Sequence, residues 1–306
     1  MSSVLPISRI ASHVLAMTMM VTCLSGGSAS QVSAPSVKTK PARLAADRIQ
    51  DRVFQSASLG REMHYRILLP AEYPQTARSY PVLYLLHGWH GDYTNWSTLT
   101  DLTHDAEKLP IIIVMPDAND SWYVDSASTP QDKYEQYIIK DLIQEVDQHW
   151  RTLRSNHRRA IAGLSMGGYG AVKFALKYPG TFAFAGSISG AFNAPEMALI
   201  DSRADLAPSL QSAFGAAESR ARSENDVYAE IEHAVPASTP YLYIDCGNRD
   251  VTFLEPNRKL TAKLSQRELA YEYHETPGAH TWRYWDSRLP ELLDAVARKI
   301  APNQIQ

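Results

Sequence analysis

The chain has 306 residues, and its 30 Lys and Arg stand against 33 Asp and Glu for a formal net charge of −3. A balance so near neutrality leaves no basic excess that would hold nucleic acid or an anionic membrane surface. The 2 cysteines, Cys23 and Cys246, flank an expected cleavage point, so no internal disulfide can support the fold even in an oxidising compartment.

Residues 1–30 carry one basic residue (Arg9), an apolar stretch from Val14 to Leu24 and then small residues from Ser25 onward. This is the pattern of a secretory signal, with cleavage expected near Ala29 or Ser30 and a secreted or periplasmic destination. The apolar stretch is short for a bilayer, so no stable membrane insertion is expected. Lipid attachment at Cys23 is the lesser alternative, because Thr22 departs from the small residue that usually precedes such a cysteine. Residues 31–46 are polar, contain proline and lack a period, as in a flexible tether. The remainder, residues 47–302, is long enough to bury the core of a single α/β domain.

Within that domain, Val53–Ala57 and Met63–Leu69 flank a turn at Leu59-Gly60-Arg61 and predict an antiparallel strand pair. Val82–Leu86 and Ile111–Met115 are continuously apolar, as expected of central strands covered on both faces. Helices are predicted over Leu99–Leu109 and Lys133–Trp150, the latter with Tyr134, Tyr137, Ile138, Leu142, Ile143 and Val146 on one face. Later strands are predicted at Arg159–Ala162, Phe182–Ile188, Tyr241–Cys246 and Leu269–His274, and helices at Gly168–Tyr178, Leu254–Arg267 and Leu289–Ile300. Alternation of this kind predicts a mostly parallel sheet with helices on both faces. Residues 191–237 are the least regular and read as an insertion over the strand ends.

In such sheets the working groups gather at the carboxyl ends of the strands. The first loop there is His87-Gly88-Trp89-His90-Gly91-Asp92, whose backbone can lie close to a substrate and whose Trp89 N–H is a candidate oxyanion donor. His87 and His90 find no third ligand at any common zinc spacing, so no metal is expected. The loop 116–130 holds Asp117, Asp120 and Asp125 without calcium-loop spacing, so these are read as solvated. Its Trp122 and Tyr123 are read as lining a pocket, and Trp282 joins them as a candidate substrate contact.

The sharpest signal is Gly163-Leu164-Ser165-Met166-Gly167, between a short buried strand and a helix. A G-x-S-x-G spacing alone is weak, but strand before and helix after make it a nucleophile elbow, with Ser165 at the corner and the Met166 N–H at a helix N-terminus. A serine hydroxyl needs a base and an orienting carboxylate. Pro277–Trp282 supplies His280 as the base, and Asp245–Asp250 supplies two candidate acids. Asp245 still belongs to its strand and is expected to bond neighbouring loop backbone. The turn formers Gly247 and Asn248 allow Asp250 to swing over the strand ends towards His280.

These residues resemble the esterase D-like family of α/β-hydrolases, which includes S-formylglutathione hydrolases, feruloyl, acetyl-xylan and tributyrin esterases and mycolyltransferases. The matching stretches are Leu85–Gly88, Ser121–Tyr123, Gly163–Gly168, Asp245–Gly247, Asp250 and Gly278–Trp282, spread over nearly all of the chain after residue 50. The resemblance implies an α/β-hydrolase fold and a Ser165, Asp250, His280 triad with an oxyanion hole from Trp89 and Met166. It implies a serine carboxylesterase, without cofactor, acting on small-molecule or carbohydrate-linked esters. An acyltransferase of the mycolyltransferase type and a non-catalytic binding protein on the same fold are the alternatives. Trp89-His90 is bulkier than the small or aliphatic pair expected after His-Gly, which bears on the width of the acyl site.

Overall fold

The computed structural model describes residues 48–200 and 205–302. The expected signal sequence and tether lie outside the described residues. Eight strands form one sheet in the order β1-β2-β4-β3-β5-β6-β7-β8. They are β1 (Ile49–Ser56), β2 (Arg61–Leu68), β3 (Val82–Leu86), β4 (Ile112–Pro116), β5 (Arg159–Leu164), β6 (Phe184–Ile188), β7 (Tyr241–Gly247) and β8 (Tyr271–Thr276). The pairs β1/β2 and β2/β4 are antiparallel and every other pairing is parallel. This is the α/β-hydrolase arrangement.

The continuous apolar runs follow from burial on both faces. In β3, Val82, Tyr84 and Leu86 enter one core while Leu83 and Leu85 enter the other. The first core takes Met166, Tyr169, Val172 and Phe174 from the helix Met166–Lys177. The second takes Leu289, Leu292, Val296 and Ile300 from the C-terminal helix Trp282–Ile300. Each fully buried Leu, Ile or Phe among them contributes roughly 1.5–3 kcal/mol.

Four stretches differ from the sequence expectation. Leu99–Leu109 is not one helix: Asn95–Leu99 and Leu102–Asp105 are separated at Thr100, which is extended, and the Asp286 carboxylate accepts the Asp101 N–H at 2.8 Å. The C-terminal helix starts at Trp282, seven positions before the predicted Leu289, because the Thr281 hydroxyl caps the Tyr284 N–H and Pro290 is accommodated inside it. Residues 191–237, expected to be irregular, carry the short helices Ala194–Ile200, Ala207–Phe214, Arg220–Ser223 and Val227–His233. The predicted Lys133–Trp150 helix runs as Tyr134–Gln136, a π-helical Tyr137–Leu142 and Ile143–His149.

Candidate active site

The parallel register brings the carboxyl ends of five strands level. Leu86 pairs with Gly163, Leu164 with Ile188, Ile188 with Asp245, and Gly247 with Thr276. The loops that leave these ends carry His87–Asp92, Ser165, Ser189, Asp250 and His280, so residues far apart in sequence share one edge.

Ser165 occupies the corner between β5 and the helix Met166–Lys177 at φ 52°, ψ −118°. A non-glycine residue in that region carries strain of order 1–3 kcal/mol. Main-chain bonds on both sides hold it there: its N–H donates to the Ile188 carbonyl at 3.0 Å, and its carbonyl accepts from Tyr169 at 3.0 Å and Ala191 at 3.1 Å. The flanking glycines are required sterically. A Cβ on Gly163 would stand 2.5 Å from the Gly167 carbonyl carbon, and one on Gly167 would stand 2.5 Å from the carbonyl oxygens of both Leu86 and His87.

The Ser165 Oγ lies 3.0 Å from His280 Nε2, and His280 Nδ1 lies 2.7 Å from Asp250 Oδ2. A carboxylate only accepts, so Nδ1 carries the proton and Nε2 is free to accept the serine hydroxyl. The other Asp250 oxygen accepts the Phe253 N–H at 3.0 Å and the Thr252 N–H at 3.3 Å. Burial works against the Asp250 charge, but the His280 ring and these two N–H groups outweigh it and hold the carboxyl below its ordinary range. The imidazole is gripped between two rings, Phe253 with its centroid at 4.8 Å and Trp285 edge-on at 4.8 Å. The indole N–H of Trp285 is itself fixed by the Ser189 Oγ at 3.3 Å. The sequence carries no local sign of this clamp, since its members arrive from β6, the loop after β7 and the C-terminal helix.

Asp245 is fully buried and its carboxylate points elsewhere. Oδ2 accepts from Arg288 Nε at 2.8 Å and from the Tyr243 hydroxyl at 3.3 Å, and Oδ1 accepts from the Tyr284 hydroxyl. Its partners are therefore side chains of β7 and the C-terminal helix, not the loop backbone expected from sequence. Burial raises its carboxyl above the ordinary range in spite of Tyr284 and Arg288.

The Met166 N–H opens the helix and the Trp89 N–H lies on the facing loop; neither has a backbone acceptor among the described residues. Gly88 brings that loop in: a Cβ there would be 2.6 Å from Leu164 Cδ1 and 3.5 Å from Ser165 Cβ. The Trp89 and His90 rings stack at 3.7 Å, with His90 in the left-handed region at φ 58° and its N–H held by Asp120 Oδ1 at 2.6 Å.

Two aromatic candidates are not brought to the site surface. Trp122 is 2% exposed and its indole N–H donates to Ser209 Oγ at 3.1 Å. Tyr123 is 0% exposed; its hydroxyl donates to the His87 carbonyl at 2.9 Å and its ring fills the space opposite Gly170. Both side chains, expected to line a pocket, are packed in the interior here. Trp282 is half-buried and stacks edge-on against Trp96 and Trp285, one turn from the clamp. The acidic residues of the loop 116–130 are also not merely solvated: Asp120 ties down His90, and Asp125 accepts the Glu135 N–H at 3.0 Å at the start of a helix. A cavity of about 350 Å³ beside this loop is lined by Arg61, Asp120, Asp132 and Tyr134 among others and borders none of Ser165, Asp250 and His280.

Residues 56–296 match the family described as "Putative esterase". An esterase of Mycobacterium tuberculosis is 33% identical, over 82% of this chain and 59% of the relative, so the chain spans somewhat over half of that longer protein. An acetyl esterase of Caldicellulosiruptor saccharolyticus is 25% identical over 80% of this chain and 96% of its own length. Among solved structures, a fluorophosphonate-binding serine hydrolase of Staphylococcus aureus superimposes with a TM-score of 0.73 at 26% identity, covering 81% of this chain and 97% of the other.

Proposed function

Because the chain belongs to the Putative esterase family, we propose that it hydrolyses carboxylic esters through an acyl-enzyme on Ser165. The observation that carries this reading is the relay of Ser165 Oγ, His280 and Asp250 at 3.0 and 2.7 Å. In the proposed reaction Oγ attacks the ester carbonyl while His280 Nε2 takes its proton, and the buried Asp250 carboxylate stabilises the imidazolium that forms. The tetrahedral oxyanion is received by the N–H groups of Met166 and Trp89, the former strengthened by the helix dipole. His280 returns the proton to the departing alcohol. Water then attacks the acyl-enzyme by the same path in reverse, and the acid leaves.

Trp89 and His90, whose rings stack at 3.7 Å beside the proposed oxyanion donor, are proposed to meet the acid side of the ester. Acetyl and other short or flat acyl groups are the proposed substrates, in keeping with the acetyl esterase among the relatives. The proposed location is secreted or periplasmic, on the strength of residues 1–30 alone; mass spectrometry of the exported protein showing an intact Met1 would refute it.

A fluorophosphonate probe tests the central claim. The wild-type protein should be labelled at Ser165 and should hydrolyse nitrophenyl acetate. Ser165→Ala should fold, escape labelling and lose several orders of magnitude in kcat. Substantial turnover by the pure variant would remove Ser165 from its role.

A further inference from the structure

We infer that His87 is a positioning residue, which aims the Trp89 N–H at the acyl oxygen by holding the Gly88 carbonyl of the same peptide. This rests on the proposed oxyanion role of Trp89. A trans peptide is rigid and its C=O and N–H point in opposite directions, so fixing one fixes the other. The Gly88 carbonyl oxygen receives two hydrogen bonds: from the Gly91 N–H at 3.0 Å, which closes the turn, and from His87 Nδ1 at 2.7 Å. A carbonyl only accepts, so Nδ1 must carry the proton. On the other side of the ring the Ala118 N–H donates to Nε2 at 3.0 Å, so Nε2 must be bare. The partners therefore admit one form, the neutral imidazole protonated at Nδ1.

The surroundings keep it so. His87 is 1% exposed, packs against the Tyr123 ring at 5.9 Å and has its own carbonyl held by the Tyr123 hydroxyl. Burial drives the imidazole below the ordinary histidine range, although Asp117, 3.9 Å from Nε2, and the more distant Asp92 and Asp120 pull the other way. A protonated Nε2 would also confront the Ala118 N–H. The turn packs closely on the ring: a Cβ on Gly91 would come within 3.0 Å of Nδ1 and 2.8 Å of the Gly88 oxygen.

The competing role for His87 is purely structural, a bolt from the end of β3 to Ala118 after β4. Two amide substitutions separate them, because an asparagine amide reaches the place of Nδ1 and a glutamine amide the place of Nε2. His87→Asn retains the bond to Gly88 and His87→Gln retains the bond from Ala118. If His87 aims the Trp89 N–H, kcat for nitrophenyl acetate should stay within about threefold in the asparagine variant and fall roughly 10–100-fold in the glutamine variant with KM little changed, somewhat less than the loss of an entire oxyanion donor. Equal losses, a worse asparagine variant or an effect on KM alone would overturn it. Should the glutamine variant not fold, the asparagine variant decides: folded and active supports the inference, folded with kcat down tenfold or more overturns it. Nitrogen-15 shifts of His87 give a readout independent of turnover. A neutral ring protonated at Nδ1 is expected, and either an Nε2-protonated ring or an imidazolium at pH 6 overturns the inference. Wild-type protein that shows this tautomer but hydrolyses no ester would instead defeat the functional reading on which the inference depends.

Discussion

Arg288 Nε donates to Asp245 Oδ2 at 2.8 Å, which commits that carboxylate to the C-terminal helix and leaves Asp250, five residues later, as the acid that meets His280 at 2.7 Å. The two carboxyls are driven apart accordingly, Asp250 held low by its donors and Asp245 raised by burial.

Asparagine at each position should separate the two tasks. Asp250→Asn should stay folded and lose about four orders of magnitude in kcat, by analogy with the serine proteases, because an amide misorients the histidine. Asp245→Asn leaves Arg288 without its buried partner and should lose about 3–5 kcal/mol of stability, a fall in Tm on the order of 10 °C, with a smaller effect on kcat. Calorimetry and kinetics giving the reverse pattern would reassign the acid to Asp245.

Gly163 and Gly180 stand at opposite extremes, the first meeting backbone and the second meeting nothing. Gly163→Ala sets a Cβ 2.5 Å from the Gly167 carbonyl carbon and 2.8 Å from the Leu86 oxygen, neither of which can move without dismantling the corner. It should give insoluble or inactive protein. At Gly180 no atom lies within 4 Å of an added Cβ, and only the φ of 90° opposes a side chain. Gly180→Ala should cost about 1–2 kcal/mol and leave kcat intact, measured by denaturant melts and initial rates.

Behind the elbow helix, Glu135 predicts acid sensitivity. Its carboxylate accepts from the buried Lys173 and from Lys177 and Tyr178. Burial pushes the carboxyl up, but those partners outweigh it and bring it from 4.5 down to about 2. Because the folded value lies below the unfolded one, this stabilisation is complete above pH 4.5 and is lost as pH falls towards 2; the shift corresponds to about 3 kcal/mol. Lys173 works with the opposite sign: burial lowers its amine from 10.5 to about 8 in spite of the carboxylate, so its charge costs stability at neutral pH and offsets part of the gain at Glu135. Urea melts should show wild-type stability dropping through this window and Glu135→Gln dropping less. Parallel curves for the two proteins would show that other carboxyls govern acid unfolding.

The proposed hydrolysis has water as its second acceptor. With His280 29% exposed at its side chain, water reaches the base from solvent. Product analysis with added trehalose or xylose should show free acid and no new sugar ester. A transferred acyl group on either sugar would make the protein an acyltransferase.

The apolar runs Val82–Leu86 and Ile111–Met115 announce strands covered on both faces without any knowledge of what covers them, because burial alone excludes polar residues. Gly163 and Gly167 likewise mark a corner that admits no Cβ, a steric fact local to five residues. What lies further apart had to wait for the folded chain. Whether Trp122 and Tyr123 face a ligand or the interior depends on Ser209, His87 and Gly170, which come from other elements. The sequence also could not say that Phe253 and Trp285 grip the His280 ring, or that Trp282, capped by Thr281, and not Leu289 begins the last helix. Local pattern determined which residues could form strand, corner and base, since backbone conformation and burial leave a periodic trace. Beyond the triad, which motif and turn chemistry already pointed to, the pairing of side chains across the strand ends was decided only by tertiary structure, because hydrogen-bond partners and ring contacts between distant segments leave no such trace in the order of residues.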